Sequence, residues 1–291
     1  MTSTVPNGPG TSPARSRRSG WWWWLPGIAL LGLVVVLVLQ PWSHETEPLL
    51  PPTESALSTS PRSSSPTAPT AAPSATPTLP PVPGAEAVFD DSTMRALFVR
   101  PRVVEDTVPA AQDGVALRIR SGELAWGLPE GSRVEPERCT AAVTVVTTAP
   151  AAFDARAWGN AGLDLTQTLT LLPDAATAAE AFRELVTTVD GCPRYTQVNP
   201  GMDGAVWTAE PAIEGQGVYP SIVQEVVHES EGQRTPTFRG HLLVGNVVVS
   251  WTAAAPGDGE DLGARLATLG TADSLSMLMQ ERAQAAVQGL G

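Results

Sequence analysis

The sequence predicts an α+β domain, built on a largely antiparallel sheet with flanking helices and preceded by one transmembrane helix and a disordered stalk. Three observations carry this reading. An uncharged apolar run occupies residues 21–39, a Pro/Ser/Thr-rich stretch follows it, and from about residue 86 strand-like and helix-like periodicities alternate around one two-residue hairpin signal.

From Trp21 to Leu39 there is no charged side chain. A helix of about 19 residues at about 1.5 Å each covers roughly 28 Å, close to the hydrocarbon thickness of a bilayer. Trp21 to Trp24 at one end and Trp42 at the other fall where an aromatic belt meets the headgroups. Arg15, Arg17 and Arg18 precede the run, whereas His44, Glu45 and Glu47 follow it. The positive-inside rule therefore assigns residues 1–20 to a cytoplasmic tail and everything after residue 39 to the far side of the membrane. A cleaved signal peptide would have a shorter apolar run and a small-x-small site, and none follows Leu39. No cysteine lies near enough to accept a lipid. The expected location is a single-pass cell-membrane protein anchored through residues 21–39.

Residues 40–85 are dominated by Pro, Ser, Thr and Ala, as in the run from Pro61 to Thr70. Such a segment cannot bury enough apolar surface to offset its ordering entropy. Its prolines favour extended polyproline II geometry, so it reads as a semi-stiff stalk. The stalk is a site where O-glycosylation would leave no trace in sequence.

Residues 86–291 have the pattern of a packed extracytoplasmic domain. Asp90 or Asp91 can cap a short helix through Met94, Leu97 and Phe98 that ends before Pro101. The β-branched run from Ala142 to Thr147 reads as a strand. Leu163, Leu165, Leu169 and Leu171 alternate with Asp164, Thr166, Thr168 and Thr170, giving a second strand with one buried face. Helical spacing then takes over in Ala175, Ala178, Ala179, Phe182, Leu185, Val186 and Val189, with Asp174 as N-cap. Further strands are expected at 205–208 and 221–228, and Gly245-Asn246 sits as a tight turn between 242–244 and 247–249. Helices are expected near 262–269 and 273–287. Strands that pair by hairpin with helices at their flanks make an α+β fold.

Cys139 and Cys192 are the only cysteines, and both fall outside the cytoplasm, so a disulfide is the expected state. The alternative, a two-cysteine metal site, lacks histidines nearby in sequence. The formal charge of −12 argues against nucleic acid and anionic surfaces as partners.

Catalytic chemistry leaves few marks. The histidines are His44, in the stalk, and His228 and His241, in expected strands where a strand-face or core role is the simpler reading. There is no nucleophile elbow, zinc-protease helix, phosphate loop or calcium loop, so no catalytic residue, cofactor or metal site is assigned. Asp90-Asp91 and the Glu229, Glu231 pair could in principle do glycosidase chemistry, but adjacent acids in turns are more simply solvated or capping residues. Trp126, Trp158, Trp207 and Trp251 fall near strand ends and are either core or the lining of a cleft.

A stalk after one membrane helix, a cysteine before a strand, the run Leu169 to Ala176, and then Ala179, Phe182 and Cys192 together resemble the PknH-like extracellular sensor domains of actinobacteria. All 18 basic residues are Arg and none is Lys, which suits such a GC-rich coding background. The resemblance implies a twisted antiparallel sheet with flanking helices and a cleft that receives a ligand. It spans roughly residues 86–290 and rests mainly on Cys139 to Cys192 and the strands flanking Gly245-Asn246. The chain has one cysteine pair where the kinase sensor has two, and Val189 where the family often has tryptophan. A tail of about 20 residues leaves no room for a kinase domain ahead of the anchor. The sequence thus points to a non-enzymatic, membrane-anchored sensor-like domain facing the cell wall, with a small-molecule or cell-wall ligand. A scaffold subunit recruiting an envelope protein partner, and then a cell-wall hydrolase, are the alternatives.

Overall fold

A computed structural model describes residues 82, 84–201 and 204–291. The tail at 1–20, the anchor at 21–39 and the stalk up to residue 81 lie outside the described residues, and among those described no helix is long and apolar enough to cross a membrane.

Ten strands form one sheet: β1 (Ala116–Ile119), β2 (Arg133–Glu135), β3 (Ala152–Gly159), β4 (Asp164–Leu171), β5 (Arg194–Val198), β6 (Ala205–Ala209), β7 (Ile213–Glu214), β8 (Ser221–Ser230), β9 (Gln233–Val244) and β10 (Val247–Ala254). Their order is β1-β3-β4-β10-β9-β8-β6-β5-β2, with β7 paired to β8, and every pairing is antiparallel. The helices are α1 (Pro101–Thr107), α2 (Ala141–Thr144), α3 (Ala175–Gly191), α4 (Leu262–Ala267) and α5 (Ala272–Gln288). The predicted α+β class holds.

The two-residue periodicity of a strand sends alternate side chains to opposite faces, and here the two faces have different chemistry. On the first, Leu165 and Leu169 of β4, Val247, Val249 and Trp251 of β10, and Phe238 and Leu242 of β9 pack against Leu275, Leu278 and Met279 of α5 and against Met94, Leu97 and Phe98. Two buried amides seal this layer by matching backbone groups that would otherwise be stranded. Gln167 Nε2 donates to Leu97 O at 3.0 Å while its Oε1 accepts from Val99 N at 2.9 Å. Gln280 Nε2 likewise donates to Tyr219 O at 2.8 Å, and its Oε1 accepts from Tyr219 N at 3.0 Å.

The second face is covered only in part. Ala178, Phe182, Leu185 and Val189 of α3 pack on Ile222, Val248 and Leu172. Asp174 caps α3 as expected, its Oδ1 accepting from Thr177 N at 2.7 Å. Beside α3, the Cys139–Cys192 disulfide ties the start of α2 to the end of α3, and Val134, Ala142 and Tyr195 pack around it.

One expectation needs correction and one is sharpened. The run from Ala142 to Thr147 is not a strand: Ala141–Thr144 is one helical turn followed by bends. Its β propensity is overridden by the disulfide just ahead of it and by burial of Val145 and Val146 against α3. The turn ends on Val145 at φ 69°, a rare conformation for a β-branched residue, with Val145 N donating to Ala141 O at 2.8 Å. The expected short helix is a 3-10 turn, Met94–Leu97, and it gives way to an unpredicted helix α1 that begins at Pro101. Arg100 is extended, as the residue ahead of proline should be, and Pro101 then serves as the first helical residue.

The other expected strands and helices are present, whereas β1, β2, β3, β5 and β7 are unpredicted. At the β9–β10 hairpin Gly245 takes φ 56°, and a Cβ there would meet Ala87 O at 1.9 Å, so glycine is required. Asn246 does more than turn: Nδ2 donates to Phe89 O and Leu172 O at 3.0 and 3.1 Å, clamping the segment before the 3-10 turn to the end of β4.

Candidate functional site

Beyond the edge of α3, the second face carries a polar stripe. Direct cross-strand pairing aligns Thr168 with Ser250, Ser250 with His241, and Thr252 with both Thr166 and Arg239. Next to it, His228 of β8 pairs with Trp207 of β6, which pairs with Tyr195 of β5. The stripe and Trp207, with Ala142, Val143 and Val145, surround a cavity of about 200 Å³ that is open to solvent, and His228 and Tyr195 flank Trp207 behind it.

Trp207 forms one end of it, backed by two more rings. Trp207 stacks on His228 with centroids 4.1 Å apart and on Tyr195 at 6.3 Å. The guanidinium of Arg239 lies 4.5 Å over the Trp207 ring, a cation–π geometry. Arg239 Nη1 donates to Ala142 O at 3.3 Å and to the Tyr195 hydroxyl. The side chain is 7 % exposed, and among the described residues it makes no ion pair with an acid. Glu225, on the adjacent strand, pairs with Phe238 and so stands on the other face.

His241 is 4 % exposed, and its Nδ1 lies 2.8 Å from Ser250 Oγ. Burial first, and then the charge on Arg239, push its pKa down to about 3, so the imidazole is neutral near pH 7. The same two causes lower His228. His241 Nε2 and Trp207 Nε1, both at residues bordering the cavity, are buried without a hydrogen-bond partner among the described residues. Larger concavities exist: those of about 500 Å³ beside Phe182 and Tyr219 and about 490 Å³ beside Arg194 and Glu225 are bordered by no such stranded atom, while one of about 560 Å³ beside Glu231 and Arg265 is bordered by the stranded Arg265 Nε but by acids and no aromatic ring.

The four tryptophans separate. Trp207 has its ring at the cavity. Trp251 borders it through the strand, but its own ring stands on the first face, packed over Gly240, where a Cβ would meet the indole at 2.4 Å. Trp158 is 2 % exposed in the first-face core, edge-on to Phe98. Trp126 packs near α3 and donates from Nε1 to Thr144 O at 3.1 Å. The structure thus does not bring the four into one cleft. Arg239 and His241 supply what the tryptophans alone do not, and the readable signal was a charged residue and a histidine two apart in the otherwise apolar run from Phe238 to Val244.

The paired acids do not form a hydrolase site. Asp90 Oδ1 accepts from Thr93 N at 2.7 Å and then from the hydroxyls of Ser92 and Thr93 at 2.7 and 2.9 Å, which holds its pKa at about 2. Asp91 pairs with Arg95 at 3.3 Å. Glu229 and Glu231 border different concavities.

Residues 99–269 match the family described as PknH-like extracellular domain. The chain belongs to this family. The extracellular domain of PknH from Mycobacterium tuberculosis shares its fold, with a TM-score of 0.50 at 14 % identity, covering 69 % of this chain and 99 % of that one. An uncharacterized protein from Mycobacterium smegmatis aligns at 15 % identity over 60 % of this chain and 86 % of its own, with a TM-score of 0.32. Among curated proteins, no sequence matches the chain. The PknH-like family makes this an extracellular sensor-type domain, and the disulfide fits that setting.

Proposed function

We propose that the chain is a membrane-anchored, non-enzymatic sensor-like module whose PknH-like domain faces the cell wall and binds a small molecule or cell-wall fragment in the cavity beside Trp207. The observation that carries this is the gap in the cover of the second face. There the sheet leaves an open cavity walled by an aromatic stack, a buried cation and a row of hydroxyls. Concave sites with aromatic walls and a few placed polar groups are the usual form of small-ligand sites.

The Ser250–His241 contact is the nearest approach to catalytic geometry, and it argues against a hydrolase. Its imidazole, with a pKa of about 3, is too weak a base to activate a hydroxyl near neutral pH. Nor does either histidine hydrogen-bond a carboxylate among the described residues. A scaffold role would call for a contiguous apolar patch, whereas the exposed large apolar side chains, among them Val103, Leu117, Ile213 and Met277, sit on separate elements, α1, β1, β7 and α5.

The test is a thermal-shift screen of the full chain in detergent micelles against soluble cell-wall fragments and lipids, repeated with Trp207→Ala. A ligand at about 100 times its Kd raises stability by about 2.7 kcal/mol. Stabilisation lost in the variant is the expected result; no stabilisation by any compound would remove the ligand-binding reading.

A further inference from the structure

The arginines of this domain fall into groups by what meets their charge. Arg95 Nε pairs with Asp154 at 2.8 Å, and Arg118 pairs with Asp164. Arg265 has no acid but ties down three carbonyls, those of Arg234, Gly259 and Ala255, through Nη1 and Nη2, leaving only Nε unpartnered. Arg239 is more buried than any of these, yet it has one carbonyl at 3.3 Å, one phenol and the face of an indole. Withdrawing a guanidinium from water costs several kcal/mol unless an opposite charge or a full set of acceptors replaces the water. The cation–π contact returns about 2 kcal/mol at best. The bonds Arg239 makes within the described residues run through Nη1, which leaves Nε and Nη2 without protein acceptors.

The neighbouring groups are biased the same way. Thr166, Thr168, Ser250 and Thr252 line the cavity with hydroxyls, and no Asp or Glu does. Trp207 Nε1 can only donate, and it is stranded. His241 Nε2 is stranded too, and it becomes a donor when the Ser250 hydroxyl donates to Nδ1. Donors on residues that share one cavity with a buried cation, with no acid among them, are complementary to a negatively charged oxygen group.

We infer that the cavity takes an oxyanion, the carboxylate or phosphate head of a small ligand, with Arg239 as its counter-charge and the surrounding hydroxyls as donors. The inference rests on the ligand-binding reading above and specifies its chemistry. At about 200 Å³ the cavity is smaller than a typical drug-sized pocket, so it holds a head group while the rest of the ligand extends outward. The domain's overall negative charge disfavours polyanions but leaves a single shielded anion free to enter.

The experiment is calorimetric titration of the full chain in detergent micelles with inorganic phosphate, acetate and neutral N-acetylglucosamine, at constant ionic strength. Saturable binding of phosphate or acetate is expected, weakened about tenfold or more in Arg239→Gln and also in Trp207→Phe, which keeps an aromatic ring, though a smaller one, and loses the N–H. Whichever anion binds more tightly assigns the head group. Arg239→Gln risks misfolding, so Trp207→Phe and Thr168→Val carry the result if it does. Anion binding undiminished in all three variants would overturn the proposal. So would binding of N-acetylglucosamine alone, lost in Trp207→Phe, which would leave the ligand-binding reading intact. Binding of none of the three probes would overturn the oxyanion, and the cavity would then rest on the wider ligand screen.

Discussion

The two faces of one sheet differ more than any two separate elements of the molecule. On β4 the side chains alternate between Leu165, Gln167 and Leu169 on one side and Thr166, Thr168 and Thr170 on the other, and on β10 between Val249 and Trp251 on one side and Ser250 and Thr252 on the other. The first side is closed by α5, and its buried amides have partners. The second is closed only where α3 and the disulfide reach, and beyond them a buried cation and two stranded ring nitrogens remain. The same strands therefore stabilise on one side and recognise on the other.

The comparison can be broken most forcefully at the disulfide, which holds the partial cover in place. Converting Cys139 and Cys192 to Ser opens a loop of sequence separation 53 and should cost about 4 kcal/mol in the chain-entropy account. Urea unfolding of the pair variant checks it, and a loss below about 1 kcal/mol would mean the cover holds without the bridge. Next comes the closed face: Leu169→Ala should cost about 3 kcal/mol, because Leu169 is fully buried between β4 and its neighbours.

Acid separates the faces differently. His241 is neutral in both folded and unfolded chains above pH 6.5. Between pH 6.5 and about 3 the unfolded chain takes up a proton that the folded one refuses, so stability falls as pH falls. The slope approaches about 1.4 kcal/mol per pH unit, and His228 adds in the same direction. Measured between pH 6.5 and 5, above the carboxylate range, the slope should shrink in His241→Gln; an unchanged slope would mean the imidazole is protonated in the fold. The charged group facing His241 is Arg239, and no acid lines the cavity to offset it.

Two smaller effects sharpen the contrast. Asp174→Ala removes the α3 cap and should cost about 1 kcal/mol by thermal unfolding. Thr168→Val, on the open face, should change stability by under about 1 kcal/mol while weakening anion binding, a split that a packing residue would not show.

Much of this was legible in the sequence. The alternation in β4, the helical spacing and cap of α3, the Gly245-Asn246 hairpin and the cysteine pair each declare themselves by a local rule. What was not legible depends on contacts far apart in the chain. The β-branched run near Val145 became a helical turn because of a bridge to residue 192, and Asn246 proved a clamp on a segment 157 residues away. The tryptophans could not be sorted, since a strand residue's face depends on the register of its whole sheet. Arg239 and His241 gained meaning only once β5, β6 and β8 brought Tyr195, Trp207 and His228 beside them.

The most direct test of the two-faced account follows fluorine resonances of 5-fluorotryptophan in the full chain in micelles, with Trp126, Trp158, Trp207 and Trp251 assigned by Trp→Phe variants, as phosphate or acetate is added. The account predicts that Trp207 shifts saturably while Trp158, sealed in the first-face core, stays put. A shift at Trp158 equal to that at Trp207, or a still Trp207 while another indole moves, would contradict it.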